Sequence, residues 1–512
     1  MARTGGSGQS KLFTKQAGGH PPVRSDITLG ACAATDFAGR RDLPDVLAFA
    51  DYAAEPNLTY DLARERLESG CVFDDKAMFP LPKQAQGKVR SLTVLNPLDE
   101  FVLRTYVGRC SASVAAATDE SVLNGLIRRP GPGWFSADFR DQARKRREFQ
   151  RDLYEAPETL GVGFFDIKDF FRSCRHDPLG SLLLDAGAPP GAVHTLTTLL
   201  TTMFSTGHGL PIGFEGSGPL ANMLLTPVDR ELRQRGMRFV RWTDDVDVFL
   251  TDLDQWPELL GVVTQRLDDV GLAVNPEKTR MLPKGAAAEA RLLDPGRDSL
   301  FEGDAVANIA AKLDGVLWLR EQGMAEELPP AHLRSYLGML RRTGDPAALE
   351  FLQATPEWID REPRAVGDYM SALAVDKGAR KKLDLDWLAE LATRRPTTER
   401  SAAGQLHVCR VLAHYRLPKD RASNLLEFAW RPDVLKKYAV LGAWSVRAWA
   451  LSQGWKPQEA FDIVSTVAHL SYRRAALVGF KPRGAGRAAS KLNSVARSHP
   501  ELAPAVRFAL AT

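Results

Sequence analysis

The chain has 512 residues, a formal net charge of +4, and 44% hydrophobic and 25% charged residues. These proportions exclude wholesale disorder and leave any nucleic-acid signal to local clusters. The length predicts two to four compact units, and no apolar run reaches the ~18 residues of a membrane span.

The five cysteines, Cys32, Cys71, Cys110, Cys174 and Cys409, show no CxxC spacing. That pattern fits a reducing cytoplasm rather than a disulfide framework or a zinc site. The first ~25 residues, rich in Gly, Ser and basic side chains, read as a flexible tail. Its opening, MARTGGSGQSKLFTKQ, lacks the apolar core of a secretory signal. From Asp42 to Glu68 apolar residues recur at helical spacing, predicting helices in LPDVLAFADYA and LTYDLARERLESG. Between residues 72 and 290, runs such as VRSLTVL (89–95), GVGFFDI (161–167) and MRFVRW (237–242) alternate with helical stretches. This alternation predicts a sheet with helices packed against it. Beyond residue 303 the strand signal ends. Amphipathic segments follow, among them AVANIAAKLDGVLWLREQG, HLRSYLGMLRRTG, WLAELATRRP, AAGQLHVCRVLAHYRLP and FDIVSTVAHLSYRRAALVG. Helix pairs spaced by about 35–45 residues would form an irregular α-solenoid.

Two acidic signals carry chemistry. Asp166 ends an apolar strand in GVGFFDIKDFF. Asp244 and Asp245 lie between two β runs in RFVRWTDDVDVFL, which reads as a hairpin with both carboxylates at its tip. Alone, such a pair reads as a solvated turn. Together, three carboxylates from neighbouring strands suit Mg²⁺, which binds through a few carboxylates plus substrate phosphates. Two such metals ~3.5–4 Å apart serve in-line displacement at phosphorus.

The order of segments resembles the reverse transcriptase family. GFFDIKDFF (163–171) is similar to its first palm motif and GLPIGFEGSGPLAN (209–222), with Gly213, to its second. WTDD (242–245) resembles the aromatic-x-Asp-Asp motif, and GLAVNPEKT (271–279) the following motif, with Lys278 as its lysine. PKQAQGKVRSLTVLNPLDEFV (82–102) is similar to the fingers segment that carries basic residues to the triphosphate. The resemblance implies a right-hand α/β fingers-palm polymerase followed by an all-α, repeat-like half. Its expected parts are an N-terminal tail and helices (1–75), fingers and palm (76–290), thumb-like helices (291–345) and a helical C-terminal domain (346–512).

It further implies an RNA-directed DNA polymerase that joins dNTPs with two Mg²⁺ ions, or Mn²⁺. Asp166 and Asp244 would bridge both metals, with Asp245 beside them. Lys83, Lys88 and Arg90 would face the triphosphate, Arg90 best among them because guanidinium grips phosphate bidentately. Lys278 would protonate the pyrophosphate. Phe171 would lie against the sugar and select deoxynucleotides. Its alternative is core packing with Phe164, Phe165 and Phe170. Departures are Ile212 where many relatives carry Gln, the FEGSG stretch with Ser217, Trp242 in place of Tyr, and Asp247, expected to be a paired strand residue.

No protease, integrase, RNase H or maturase zinc pattern follows the palm. The Pro-Ile-Gly form of the second motif and the helical C-terminus resemble bacterial abortive-infection and defence-associated reverse transcriptases. That implies an antiphage role, with RNA-templated or untemplated synthesis. Priming from a tyrosine would draw on Tyr415, Tyr438 or Tyr472, each of which reads first as ordinary packing. The alternatives are a retron- or intron-derived enzyme and a vestigial nucleic-acid-binding scaffold. Implied partners are dNTPs, RNA or DNA template or product, a non-coding RNA and a second copy of the chain, with no membrane. Two basic stretches read as nucleic-acid contacts or as solvated helix faces. One is RKRREFQR (144–151) with Arg144 and Lys145; the other runs from Arg473 to Arg497 without an acid and includes Arg474, Lys481, Arg483 and Arg487. His176, beside Cys174 without metal spacing, reads as a surface or capping residue.

Overall fold

The computed structural model describes residues 44–73, 76–82, 89–123, 126–128, 135–137, 139–291, 330–396 and 398–511. These form two compact units: Glu55–Ala77 with Thr93–Asp294, and Arg40–Ala54 with Met78–Leu92 and Pro295–Thr512. The predicted helix AVANIAAKLDGVLWLREQG lies outside the described residues.

The first of the two N-terminal helices is shorter than expected. α1 is only Ala50–Ala54, whereas α2, Pro56–Ser69, runs nearly as predicted. The reason is Asp45, whose carboxylate accepts the amides of Leu47 and Phe49 at 3.0 Å each. Ala48 and Phe49 then take left-handed backbone conformations, with φ of 51° and 59°. β1 (Ala77–Pro82) pairs with β2 (Val89–Val94).

The first unit is organised by α3 (Pro97–Ala117), β3 (Leu126–Arg128), β4 (Phe135–Ala137) and α4 (Phe139–Glu155). β5 (Gly161–Asp166), α5 (His176–Asp185), α6 (Pro190–Met203), α7 (Ser217–Gln234), β6 (Arg238–Trp242) and β7 (Asp245–Leu250) follow, then α8 (Trp256–Asp269), β8 (Arg280–Pro283) and α9 (Lys284–Arg291). The central sheet has the order β6-β7-β5-β8 and is antiparallel throughout. Strand alternation sorts its residues. Val162, Phe164, Val240 and Phe249 share a core with Leu153 and Tyr154 of α4. The opposite face lies under α7 and α8, where a Cβ at Gly163 would sit 2.0 Å from the Trp256 ring. β5 therefore carries glycines at 161 and 163 because Leu253 and Trp256 fill the space their side chains would need.

The second unit is a stack of helix pairs. α10 (Pro330–Thr343), α11 (Pro363–Val375), α12 (Leu385–Thr393) and α13 (Glu399–Leu412) are followed by α14 (Lys419–Ala429), α15 (Ala439–Ala450), α16 (Pro457–Thr466) and α17 (Leu470–Leu477). α10, α11, α13, α15 and α17 form a row in which each packs on the next. Their first residues fall 31 to 40 residues apart. α12, α14 and α16 each pack on the row helix that follows them. This is the solenoid-like half expected from the sequence, with a slightly shorter repeat.

Candidate active site

β5 delivers Asp166 to the end of the sheet, directly opposite Asp245, the first residue of β7. β6 and β7 are joined by Thr243 and Asp244 alone, with Trp242 paired to Asp245. A loop this tight needs a residue with positive φ, and Thr243 supplies it at 57°. Asp244 is thus the tip, Asp245 the first strand residue, and Asp166 their neighbour across the ladder.

The segment GLAVNPEKT closes the end of β5. Asn275 donates its backbone amide to the Asp166 carbonyl at 2.7 Å and its side-chain amide to the Asp166 carboxylate at 2.9 Å. Its own side-chain oxygen accepts the Glu277 amide, turning the chain so that Lys278 comes back to Asp166. The Lys278 Nζ lies 3.0 Å from both carboxylate oxygens.

α4 supports the hairpin from one face. Arg146 and Gln150 stand one helical turn apart, ~6 Å along the axis. Asp245 and Asp247 are alternate residues of β7, ~6.6 Å apart. The two spacings match, so Arg146 reaches Asp245 at 2.9 Å while Gln150 reaches Asp247 at 2.7 Å. The Arg146 guanidinium also lies 5.6 Å from the centre of the Trp242 ring. Asp247 is buried and paired within the sheet, as expected.

α7 supports the other face. Arg241 of β6 is buried and binds Asp229 bidentately at 2.9 and 2.6 Å. Its remaining arm donates to the Asn222 side chain at 2.7 Å and to the Thr243 carbonyl at 2.8 Å. The second motif enters α7 through a turn at Gly213, φ 99°, and the Ser217 hydroxyl donates to the Pro211 carbonyl at 2.7 Å. The FEGSG departure has a packing reason: Glu215 pairs with buried Arg104 of α3, which also binds Glu100 and lies over the Phe214 ring. At Ile212, where a glutamine was missing, the backbone carbonyl accepts the Thr93 amide.

Burial holds the Asp244 carboxyl above its usual range, and the charges of Asp166 and Asp245 push it the same way. Among the described residues, Asp244 has no basic side chain at ion-pairing distance, whereas Asp166 has Lys278 and Asp245 has Arg146. A carboxylate pair that repels itself in a partly buried setting suits a divalent cation with oxygen ligands. Asp166 and Asp244 are the residues that would hold it. No group of three acidic, His or Cys side chains gathers in metal-holding geometry among the described residues. Asp245 is engaged by Arg146 at 2.9 Å.

Phe164, Phe165 and Phe170 are buried, whereas Phe171 is half-buried, so the core role falls to its neighbours. Arg90 is exposed on β2; Lys83 and Lys88 lie outside the described residues. Lys145 is exposed on α4, and the Arg144 side chain is outside the description. Three of the seven cations of the C-terminal basic stretch, Arg473, Arg474 and Arg483, are engaged within the fold, which counts against their nucleic-acid reading. Arg474 is fully buried and bridges Asp45 and Asp51 at 2.6 Å each. Burial raises the Asp45 carboxyl, but Arg474 and two backbone amides outweigh it and leave the group below its ordinary value. Arg473 is buried and paired with Glu501 at 2.9 Å, and Arg483 donates to the carbonyls of Ala450, Gly479 and Ser452. Lys481 lies over the Phe508 ring, while Arg487 is exposed. Tyr415, Tyr438 and Tyr472 are all buried, and Tyr472 donates to the Ala429 carbonyl at 2.9 Å. His176 is neither surface nor cap. It is buried between the Thr201 hydroxyl and the Gly209 carbonyl, and burial lowers its basicity.

Asn275, Gln150, Asn222, Asp229 and Arg241 were not singled out from the sequence, and Arg146 was read only as part of a basic cluster. Two left a signal. Asn275 precedes a proline in a turn, and Arg241 is a charge between apolar residues in the interior of a strand.

The fold and site together define a palm-like unit: an antiparallel sheet that presents paired carboxylates at a hairpin. Residues 135–303 match the family described as reverse transcriptase (RNA-dependent DNA polymerase). The chain thus contains a reverse transcriptase domain, the domain of an RNA-directed DNA polymerase. The match takes in all four palm motifs and leaves out the fingers segment at 82–102. No curated protein matches the sequence. Among solved structures, telomerase from Candida tropicalis with a fragment of telomeric RNA is similar at 12% identity and a TM-score of 0.34, covering 73% of this chain and 64% of that one. Telomerase from Candida albicans with the same RNA element is similar at 12% identity and a TM-score of 0.31, covering 70% and 62%. The chain thus spans less than two thirds of either telomerase, and at these scores the likeness says nothing about its function.

Proposed function

We propose that the chain is an RNA-directed DNA polymerase that uses Mg²⁺ held by Asp166 and Asp244. The observation that carries this reading is the hairpin itself. It sets Asp244, the acid without a cationic partner among the described residues, beside Asp166 on the neighbouring strand. Bound Mg²⁺ would offset the carboxylate charge and polarise the dNTP phosphates. Asp166 orients through Asn275, and Lys278, exposed and close to Asp166, would give a proton to the departing pyrophosphate. Phe171 would face the sugar, and Arg90 the triphosphate. Asp245, held by Arg146, would tune the site rather than ligate. The segment 291–345, described only at 291 and from 330 on, would serve as a thumb. We further propose a role in antiphage defence, supported by the Pro-Ile-Gly second motif and the helix-pair C-terminal half.

The test is to purify the protein, offer one labelled dNTP at a time with Mg²⁺, and sequence any co-purifying nucleic acid. Incorporation by the wild type and none by folded Asp166→Ala or Asp244→Ala is expected. Synthesis retained by Asp244→Ala would refute the assignment.

A further inference from the structure

We infer that Arg241 is a positioning residue that sets the Asp244 carboxylate through the single peptide unit joining Thr243 to Asp244. The inference rests on the polymerase reading of the hairpin.

The argument starts from the planar trans peptide, in which the C=O and the following N–H point in opposite directions. Arg241 donates to the Thr243 carbonyl at 2.8 Å, from the α7 side of the sheet. The Asp244 amide of the same unit must then point away from Arg241. It lies against Asp244's own carboxylate. One rigid plane thus links a guanidinium on one side to a metal-facing carboxylate on the other.

That plane is the soft point of the hairpin. Thr243 is β-branched and sits at φ 57°, a region such residues avoid. Rotating the peptide would relieve Thr243 and would turn the Asp244 amide away from its carboxylate. Arg241 opposes that rotation, and everything around it fixes Arg241. Its backbone amide donates to Ser121 at 2.9 Å, and its carbonyl accepts the Leu123 amide at 2.8 Å. Asp229 takes two of its N–H groups and Asn222 shares a third nitrogen with Thr243. Only a planar fork meets these acceptors together; an ammonium is a point charge. The remaining question is whether Arg241 merely holds β6 onto α7 or sets the carboxylate.

The experiment uses the full chain and three proteins: wild type, Arg241→Lys, and the double variant Arg241→Met with Asp229→Met. The double variant replaces a buried ion pair by apolar side chains, an exchange that leaves folding neutral or improved. It keeps the packing and removes the donor to Thr243. Each protein is melted, titrated with Mn²⁺ alone by electron paramagnetic resonance, and assayed for kcat and KM of dNTP incorporation. We expect folded variants with Mn²⁺ affinity lower by about 10–100-fold, the usual loss when a ligand's supporting partner is removed. The kcat should fall with it and KM for dNTP stay close to wild type. A folded double variant with wild-type Mn²⁺ affinity and kcat would overturn the positioning role. A wild type that neither binds Mn²⁺ nor incorporates dNTPs would instead overturn the polymerase reading.

Discussion

Lys278 separates a structural role from a chemical one most sharply. Its Nζ is 3.0 Å from both oxygens of Asp166, yet its side chain is 64% exposed. An ion pair so wet contributes about 0–1 kcal/mol. The backbone turn that carries it is held separately, by the Lys278 amide on the Asn275 carbonyl. Lys278→Ala should therefore lower stability by no more than ~1 kcal/mol, a small shift in Tm. Loss of a general acid is of another size, about 10²–10⁴ in rate. Lys278→Arg sharpens the contrast. It keeps the cation beside Asp166, but a guanidinium does not release its proton. Both variants should fold and bind primer and template, and both should lose about 10²-fold or more in the first incorporation, measured by rapid quench at saturating dNTP. A Lys278→Arg rate near wild type would refute proton donation and leave Lys278 as a counter-charge of Asp166.

Three further outcomes follow from the geometry. Phe171→Ala should raise incorporation of ribonucleotides relative to deoxynucleotides, while Phe170→Ala, at a buried ring, should mainly lower Tm; an unchanged sugar ratio for Phe171→Ala would move discrimination elsewhere. Asp244 binds its proton more tightly folded than unfolded, so its ionisation opposes folding at neutral pH and that penalty disappears as pH falls through the folded pKa toward the unfolded carboxyl value. In metal-free buffer Asp244→Asn should thus melt above wild type at pH 7, with the difference shrinking in acid, and melting curves across pH check it. Arg474→Ala leaves Asp45 and Asp51 buried without their cation and should cost about 3–5 kcal/mol by denaturant unfolding. A fully stable Arg474→Ala with weakened nucleic-acid retention would restore the surface reading of that stretch.

The parts legible in the sequence were those governed by local pattern. Strand alternation located β5 and β6, and the tight Asp-Asp turn located the hairpin. Helical periodicity located the C-terminal stack. What stayed hidden depends on residues far apart in the chain. The run 473–497 has no acid of its own, so it read as a free basic face; its counter-charges, Asp45, Asp51 and Glu501, come from elsewhere in the chain. In the same way RKRREFQR read as a phosphate contact because nothing local reveals that Arg146 meets Asp245 across 99 residues. The glycines of GVGFF had no local reason either, since Trp256 and Leu253 fill their places from beyond β7. Phe171 was separable from its aromatic neighbours only once their burial was known.

The charges around the hairpin differ in how readily they can yield. Arg146 is partly buried, lies over the Trp242 ring and binds Asp245 in step with the Gln150–Asp247 bond beside it. Arg241 is sealed in the buried pair with Asp229. Neither can leave without breaking packing. Lys278 alone of the three is mostly exposed and tethered by a flexible stem. A divalent cation approaching Asp166 and Asp244 would therefore displace Lys278 and leave both arginines in place. On the polymerase reading, Asp166 and Asp244 would hold the cation, and Lys278, within reach of Asp166, would supply a proton beside the phosphates. On that reading, Arg146 and Arg241 would hold Asp245 and the Asp244 peptide plane in place.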